Sequence, residues 1–359
     1  MTWTLTPLAA DPAPQLEIWR QLVATAAIRH PLLDVDYLEL AVRHLGPGEN
    51  LHWLQYTAAG RIEVAGIVEP RGRGRWASWF SPQLPVTPLL SPAPAVLAAA
   101  TAGGGGLFAA LGPTSWRLKL FDVDPAYITA PARLGALPQV QLPTHQTVAI
   151  EFPADGGGYW DSRPRDLQRN VARSMRKLEA QGGTPQLRVL VEREAMAAAV
   201  SGHATLEQSG WKGAQGTAMR ADDTLGVFYR AVLERYAARG AARVFQLYAG
   251  EQLIASQLCI ETAAVLATMK TTYHGSYVNC SPGRILDHLM LQQLQAEGAV
   301  RRCEFCMHAG KSDLLWATEV RTLQQVEIYR SALLREVMMQ GRSLRRRFRR
   351  SQSATTAVA

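Results

Sequence analysis

Cysteine is scarce in this chain. Only Cys259, Cys280, Cys303 and Cys306 occur among 359 residues, with no framework spacing, which excludes a small disulfide-stapled scaffold. The opening segment MTWTLTPLAADPAP lacks a basic region followed by an apolar run, so it is not read as a secretion signal. A membrane-length apolar helix is also missing. The longest uncharged stretch, Trp76 to Trp116, is broken by Pro82, Pro85, Pro88, Pro92, Pro94 and Pro113 and by the glycines 103 to 106, and reads as loop followed by a small buried helix. Acid is absent from the last twenty residues, which carry arginines 342, 345, 346, 347, 349 and 350. These six account for most of the net charge of +8 and leave the remainder at +2, so the basic pI says little about the globular part. The expectation is a cytoplasmic protein with a disordered basic tail over residues 341–359. That tail is also able to meet an anionic membrane surface at the inner face.

What is present is enough apolar material, 47% of residues, to bury a large core in two domains of ordinary size. Cys303, Cys306 and His308 form a C-x-x-C-x-H run that invites a zinc reading. The segment VRRCEFCMH, however, reads as a strand over 301–308, where residues an odd number apart point to opposite sides of a sheet, and a second C-x-x-C is missing. No metal is expected.

Periodicity predicts helices over 16–29 and 36–45, then strands LHWLQYT, RIEVAGIVEP and RWASWF, a helix within 94–111 and a strand WRLKLFDV. A second part opens with the strand QTVAIEFP. Pro164 then starts a helix with a core stripe of Leu167, Val171, Met175 and Leu178 and a basic face of Arg165, Arg169, Arg173 and Arg176. A helix over 227–239 follows. Next come a hairpin (FQLYAGEQLIASQLCIE), a strand (VLATMKTTY), the tetrad Ser281-Pro282-Gly283-Arg284, a helix to Glu297, and the 301–308 strand. Helix-plus-strand then runs to about 340. Both parts have the order helices, antiparallel hairpin, helix, as a diverged duplication would.

A strand, an uncharged turn and a helix N-terminus together favour an anion, because free backbone N–H groups and the helix dipole point the same way. Four ordered blocks add to this: RNVARSMRKLEAQGG, SGWKGAQGTAM, KTTYHGSYVNCSPGRILDHLMLQQL and CEFCMHAGKSDLLW. Over roughly 165–316 they resemble the FemAB-like acetyltransferases of the GNAT superfamily, including the CelD-type proteins of cellulose and exopolysaccharide clusters. The resemblance implies an α+β fold of tandem GNAT-like domains with mixed, mainly antiparallel sheets flanked by helices. A degenerate half would span 1–145 and an acyltransferase half 146–340.

The resemblance further implies that acetyl-CoA or another acyl-CoA is the donor, its pyrophosphate held at Ser281, Gly283, Arg284, Ile285 and Leu286. The superfamily's second small residue after the glycine is replaced here by Ile285 and Leu286. Catalytic candidates are Glu304 as base, Tyr273 as acid for the departing thiolate, and His308 at the end of the last strand. Each also has a structural reading, as a hydrogen-bond acceptor, a core aromatic or a surface residue. Trp211, Lys212, Lys270, Lys311 and Trp316 are the candidates for contacting the acceptor. On the strand before the turn, Met269, Thr271 and Tyr273 are expected on one face and Thr268, Lys270 and Thr272 on the other. The leading function is N- or O-acyl transfer to an amino sugar, a polysaccharide or its precursor. Two alternatives stay open. One is the aminoacyl-tRNA donor used by FemAB-like relatives, although nucleic acid is not the expected partner. The other is a non-catalytic scaffold of a polysaccharide-synthesis complex.

Overall fold

The computed structural model describes every residue except 10–11, 26–28, 92–95, 97–99, 101–104, 128–136, 154–157, 182 and 344–359. The helices are α1 (Ala13–Thr25), α2 (Val35–Leu45), α3 (Gly105–Ala110), α4 (Arg165–Ala180), α5 (Met196–Gln208), the single turn α6 (Trp211–Ala214), α7 (Thr224–Ala237) and α8 (Pro282–Glu297). The strands are β1 (Thr2–Pro7), β2 (His52–Ala58), β3 (Arg61–Pro70), β4 (Arg75–Ser78), β5 (Leu89–Leu90), β6 (Arg117–Val123), β7 (Gln139–Glu151), β8 (Pro185–Leu190), β9 (Ala242–Ala249), β10 (Gln252–Thr262), β11 (Val265–Tyr273), β12 (Arg302–Glu304) and β13 (Glu319–Tyr329).

The expected α+β duplication is visible in the pairing. In the first half β2, β3 and β4 form an antiparallel meander, α3 follows, and β6 returns parallel to β4. In the second half β9, β10 and β11 form the meander, α8 follows, and β12 returns parallel to β11. One continuous mixed sheet joins the halves in the order β1-β2-β3-β4-β6-β13-β7-β12-β11-β10-β9-β8, with β5 beside β3. The strand that makes it continuous is β13, which pairs antiparallel with β6 on one side and β7 on the other.

Three apolar cores follow from this layering. On one face, α1, α2, α5 and α7 cover both halves, and Trp19, Leu38, Val200, Phe228, Leu258 and Ala267 belong to one cluster. On the opposite face α3 packs beneath the first half, with Phe108 against Leu118 and Val326. Beneath the second half α4 and α8 share that face, with Leu167, Val171, Ile285 and Leu286 against Cys259, Leu266 and Cys303. The stripe predicted for α4 accounts for this, since Leu167, Val171 and Leu178 are buried while Arg165, Arg169, Arg173 and Arg176 are exposed.

Charged groups clasp the halves where they meet. Arg321 on β13 is buried and donates to both oxygens of Asp124, at 3.0 and 2.9 Å, and to Glu304 Oε2 at 2.7 Å. Arg302 Nε and the Tyr127 hydroxyl both donate to Glu304 Oε1, at 2.6 and 2.5 Å. Further out, Arg235 and Arg239 of α7 pair with Asp34, Asp36 and Glu39 around α2.

Several expectations are corrected. The 301–308 strand ends at Glu304, because Cys306 takes a left-handed φ of 46° that stops the ladder. Cys303 and Cys306 do join different cores, Cys303 below the sheet and Cys306 above it. Trp211 opens a single helical turn, and its side chain lies outside the described residues. β7 begins seven residues before the predicted strand, and after β12 the order is strand then helix, with helical residues 332–343 reaching into the predicted tail. The rest of the tail lies outside the described residues. Among those described, no helix is long and apolar enough to cross a membrane.

Replacing Arg321 with methionine strands two buried carboxylates. The expected cost is about 3–5 kcal/mol in urea unfolding at pH 7, shrinking at low pH as Glu304 takes up a proton.

Candidate active site

β11 and β12 pair only at their first residues, Val265 with Arg302, Leu266 with Cys303 and Ala267 with Glu304. Thr268 Oγ1 caps the junction by donating to the Phe305 carbonyl at 3.0 Å. Beyond it the strands part, and residues 269–273 have no ladder partner on that side. On the other side of β11 the register with β10 slips, Thr268 facing Cys259 and Lys270 facing Leu258, so Met269 is an inserted bulge residue. A forked sheet with backbone groups facing the gap is the means by which an acyl group can be held and its carbonyl oxygen met by N–H donors.

The bulge corrects the predicted alternation. Cross-strand partners share a face, and Leu258 belongs to the upper core while Cys259 belongs to the lower. Lys270 therefore joins Met269 on the α5 and α7 face, and Thr271 and Tyr273 lie on the α8 face with Thr268. The Lys270 ammonium is 2.9 Å from Glu207 Oε1, and that of Lys212 is 2.6 Å from the same oxygen. Glu207 Oε2 accepts the Met219 N–H at 2.9 Å. Burial pushes the Glu207 carboxyl up, but the hydrogen bonds from Lys212 and Lys270 outweigh it and bring the pKa to about 2. Burial also lowers the Lys270 pKa, with Glu207 opposing. Sequence reading found the two lysines and missed the glutamate between them, because Glu207 sits in an otherwise ordinary helical stretch.

On the other face α8 begins at Ser281, which is left-handed (φ 50°) and forms no side-chain cap. Its carbonyl accepts from Arg284 N at 3.0 Å and Ile285 N at 3.4 Å. Ile285 and Leu286 are thus not anion donors. Their amides belong to the helix ladder and their side chains are fully buried. What remains for an anion is the Gly283 N–H, unpartnered among the described residues, and the half-buried Arg284. A Cβ at Gly283 would meet only Tyr273 Cδ1, at 3.9 Å, so the glycine leaves an open approach beside an exposed tyrosine.

The remaining candidates scatter. Glu304 sits in the clasp between the halves with both oxygens engaged. Burial raises its pKa, but Arg321, His30 and Arg302 outweigh this and hold it below the ordinary value, which makes it a poor proton acceptor. Cys306 and the neutral-leaning His30, whose pKa burial lowers, line a small cleft beside it with Asp124, His145 and Arg321. His308 is exposed and stacks on His145 at 5.1 Å, away from the fork mouth lined by Tyr273. Lys311 is exposed. Trp316 is buried against Trp160, and its carbonyl accepts the Tyr159 hydroxyl at 2.6 Å, so it packs the core instead of lining a cleft.

Comparison with known proteins agrees with this geometry. Residues 165–313 match the family model of the acetyltransferase (GNAT) domain. The second half carries a GNAT-type acyltransferase domain. Among solved structures, the fold is similar to the C-terminal domain of a putative lysylphosphatidylglycerol synthetase from Agrobacterium fabrum, at 11% identity and TM-score 0.55, covering 92% of this chain and 96% of that one. It is also similar to FemX, at 10% identity and TM-score 0.54, covering 86% and 95%. A conserved protein of unknown function from Bacteroides thetaiotaomicron shares the fold at 8% identity and TM-score 0.52, covering 92% and 99%. No curated protein matches the sequence.

The Glu207 pairing sets an acid limit. Its folded pKa of about 2 lies below the ordinary glutamate value of 4.5, so its stabilisation is complete above pH 4.5 and is lost as pH falls toward 2. Unfolding free energies of Glu207→Gln against pH should converge on the parent protein in acid and lie below it at pH 7, by on the order of 2–3 kcal/mol.

Proposed function

We propose that the chain is an acyl-CoA-dependent N- or O-acyltransferase, with acetyl-CoA as the expected donor and an amino sugar, a polysaccharide or its precursor as acceptor. The observation that carries this reading is the fork between β11 and β12 beside the Gly283 turn of α8. The turn suits a pyrophosphate, since the Gly283 N–H, the helix N-terminus and Arg284 converge there. The fork suits the thioester. The acceptor reaches it from the opposite face, where Lys270, Lys212 and Glu207 lie, so donor and acceptor meet across the sheet and need no covalent enzyme intermediate. The CelD-type blocks favour a glycan acceptor. Residues 1–145 serve as a supporting half, and the arginines beyond 341 as a contact for an anionic membrane surface.

A second reading takes an aminoacyl-tRNA donor. It is supported by the exposed arginine face of α4, because Lys177 of that helix donates to the Asn279 carbonyl at 3.3 Å and so brings the basic face beside the loop entering α8. Phosphate contacts of that kind weaken steeply with salt, whereas a CoA site weakens less.

Calorimetric titration with acetyl-CoA, CoA and deacylated tRNA separates the readings. Micromolar binding of CoA is expected. Binding of tRNA alone, with a steep salt dependence, would favour the aminoacyl donor, and silence from both would leave a scaffold. Gly283→Leu should lower CoA affinity at least about tenfold, because the side chain fills the approach beside Tyr273, while the melting temperature stays within a few degrees. Unchanged CoA affinity in this variant would move the pyrophosphate elsewhere.

A further inference from the structure

The candidate base Glu304 is fully engaged, yet acyl transfer to an amine or hydroxyl needs a group that takes a proton at the fork. Such a group stands on α8. This helix starts beside Tyr273, at the end of β11, and its chain returns to β12, which pairs with the beginning of β11. The helix therefore runs back along β11. Four residues beyond Gly283, about 6 Å along the axis, lies Asp287. That distance spans about two strand residues, so Asp287 stands between the level of Thr271 and that of the last β11–β12 pairs, where the fork begins to open. Its charge acts on Cys259 of β10 and Cys303 of β12, which flank β11 at Thr268 and Leu266 on the α8 face.

We infer that Asp287 is the proton-transfer residue of this site, taking the proton of the attacking acceptor and passing it to the departing thiolate. The inference rests on the acyltransferase reading. Asp287 is half-buried and accepts no hydrogen bond among the described residues, so its lone pairs are available. Gln257 is a second group awaiting a ligand. It is paired with Thr271 on the same face, it is 1% exposed, and its Oε1 finds no partner among the described residues. The titratable groups around Asp287 are Asp313 and Arg284, with Tyr159, Cys259 and Cys303 beneath. Asp313 is itself pinned by the Gly310 N–H, at 2.7 Å. Burial first and the Asp313 charge second raise the Asp287 pKa to about 7, against the pull of Arg284. A carboxyl near neutrality suits both taking and returning a proton.

In the step, the acceptor's nitrogen or oxygen lone pair forms a bond to the thioester carbon, and its proton goes to Asp287 Oδ. The C–S bond then breaks with its electron pair on sulfur, and Asp287 returns the proton to give the free thiol. Atoms and charge balance without another reagent, and the residue ends as it began.

The test compares the parent protein with Asp287→Asn, using acetyl-CoA as donor, glucosamine as acceptor probe, thiol release as readout and calorimetry for CoA. The expected result is at least about a hundredfold loss of kcat with CoA affinity within about threefold, and loss of the limb that rises through pH 7. Thermal melting supplies a readout independent of the acceptor. An acid with folded pKa above its ordinary value costs stability as pH rises from about 4 to 7, so Asp287→Asn should melt higher than the parent at pH 8 and equally at pH 4. Unchanged turnover and pH profile with CoA still bound, or a melting difference independent of pH, would overturn the inference alone. Failure of both proteins to bind CoA would overturn the acyltransferase reading, and the inference with it.

Discussion

The structure depends on a buried arginine. Arg321 ties Asp124 of the first half to Glu304 of the second, and it does so from β13, the strand that pairs with both. Two carboxylates buried this closely repel one another and are poorly solvated, and only a forked guanidinium meets both with directed hydrogen bonds. Arg302 and Tyr127 complete the coordination of Glu304. The consequence reaches the site. Glu304 is the last paired residue of β12, so the clasp fixes the point at which β11 and β12 separate. A residue that looks like a base is instead the hinge pin of the fork.

The fork itself divides labour between faces. The inserted residue Met269 changes the parity of β11, sending Lys270 toward α5 and α7 while Thr271 and Tyr273 stay with α8. A regular strand would send Lys270 to the α8 face with Thr268, and Thr271 and Tyr273 to the opposite one. One extra residue thus yields a basic, ion-paired face and a face of hydroxyls, an open glycine and an unengaged carboxylate. The cluster around Glu207 holds its charges by mutual pairing, whereas Asp287 on the α8 face accepts no hydrogen bond among the described residues and has only Arg284 to oppose its burial. Sites that retain such unbalanced groups give up stability for function.

Much of the architecture was legible in the sequence, because local patterns wrote it. The stripe on α4, the hairpin of β9 and β10, and the Ser-Pro-Gly-Arg start of α8 each declare themselves within a few residues. The repeated order of meander, helix and returning strand was legible for the same reason. What escaped was set by partners distant in the chain. Nothing local announces that β13 enters between β6 and β7, that Met269 falls out of register against β10, or that β12 stops at Glu304, two residues before a left-handed Cys306. Asp287 escaped because a polar residue on the first turns of an amphipathic helix looks like any solvated position. Its significance appears only when the helix is laid back along β11. Tyr273 and Gly283 lie together because the turn brings them together; the partners that engage Glu304 include Tyr127 and Arg321, outside its own strand, and His308 lies beyond the end of that strand.

The position of β13 bears on how the protein is made. The strand at the middle of the sheet comes from residues 319–329, after both meanders and their helices have left the ribosome. Until then β6 and β7 each offer an open edge, Asp124 lacks its Arg321 partner, and Glu304 has Arg302 alone. Each half can collapse on its own helices, but the sheet cannot close, so nascent chains pass through a stage in which two sticky edges face solvent. Closure of long-range pairings is intrinsically slow, and until Arg321 arrives Asp124 and Glu304 repel one another and draw water to the seam. The same residues that lock the finished molecule therefore also keep its two halves apart while it waits for its last strand.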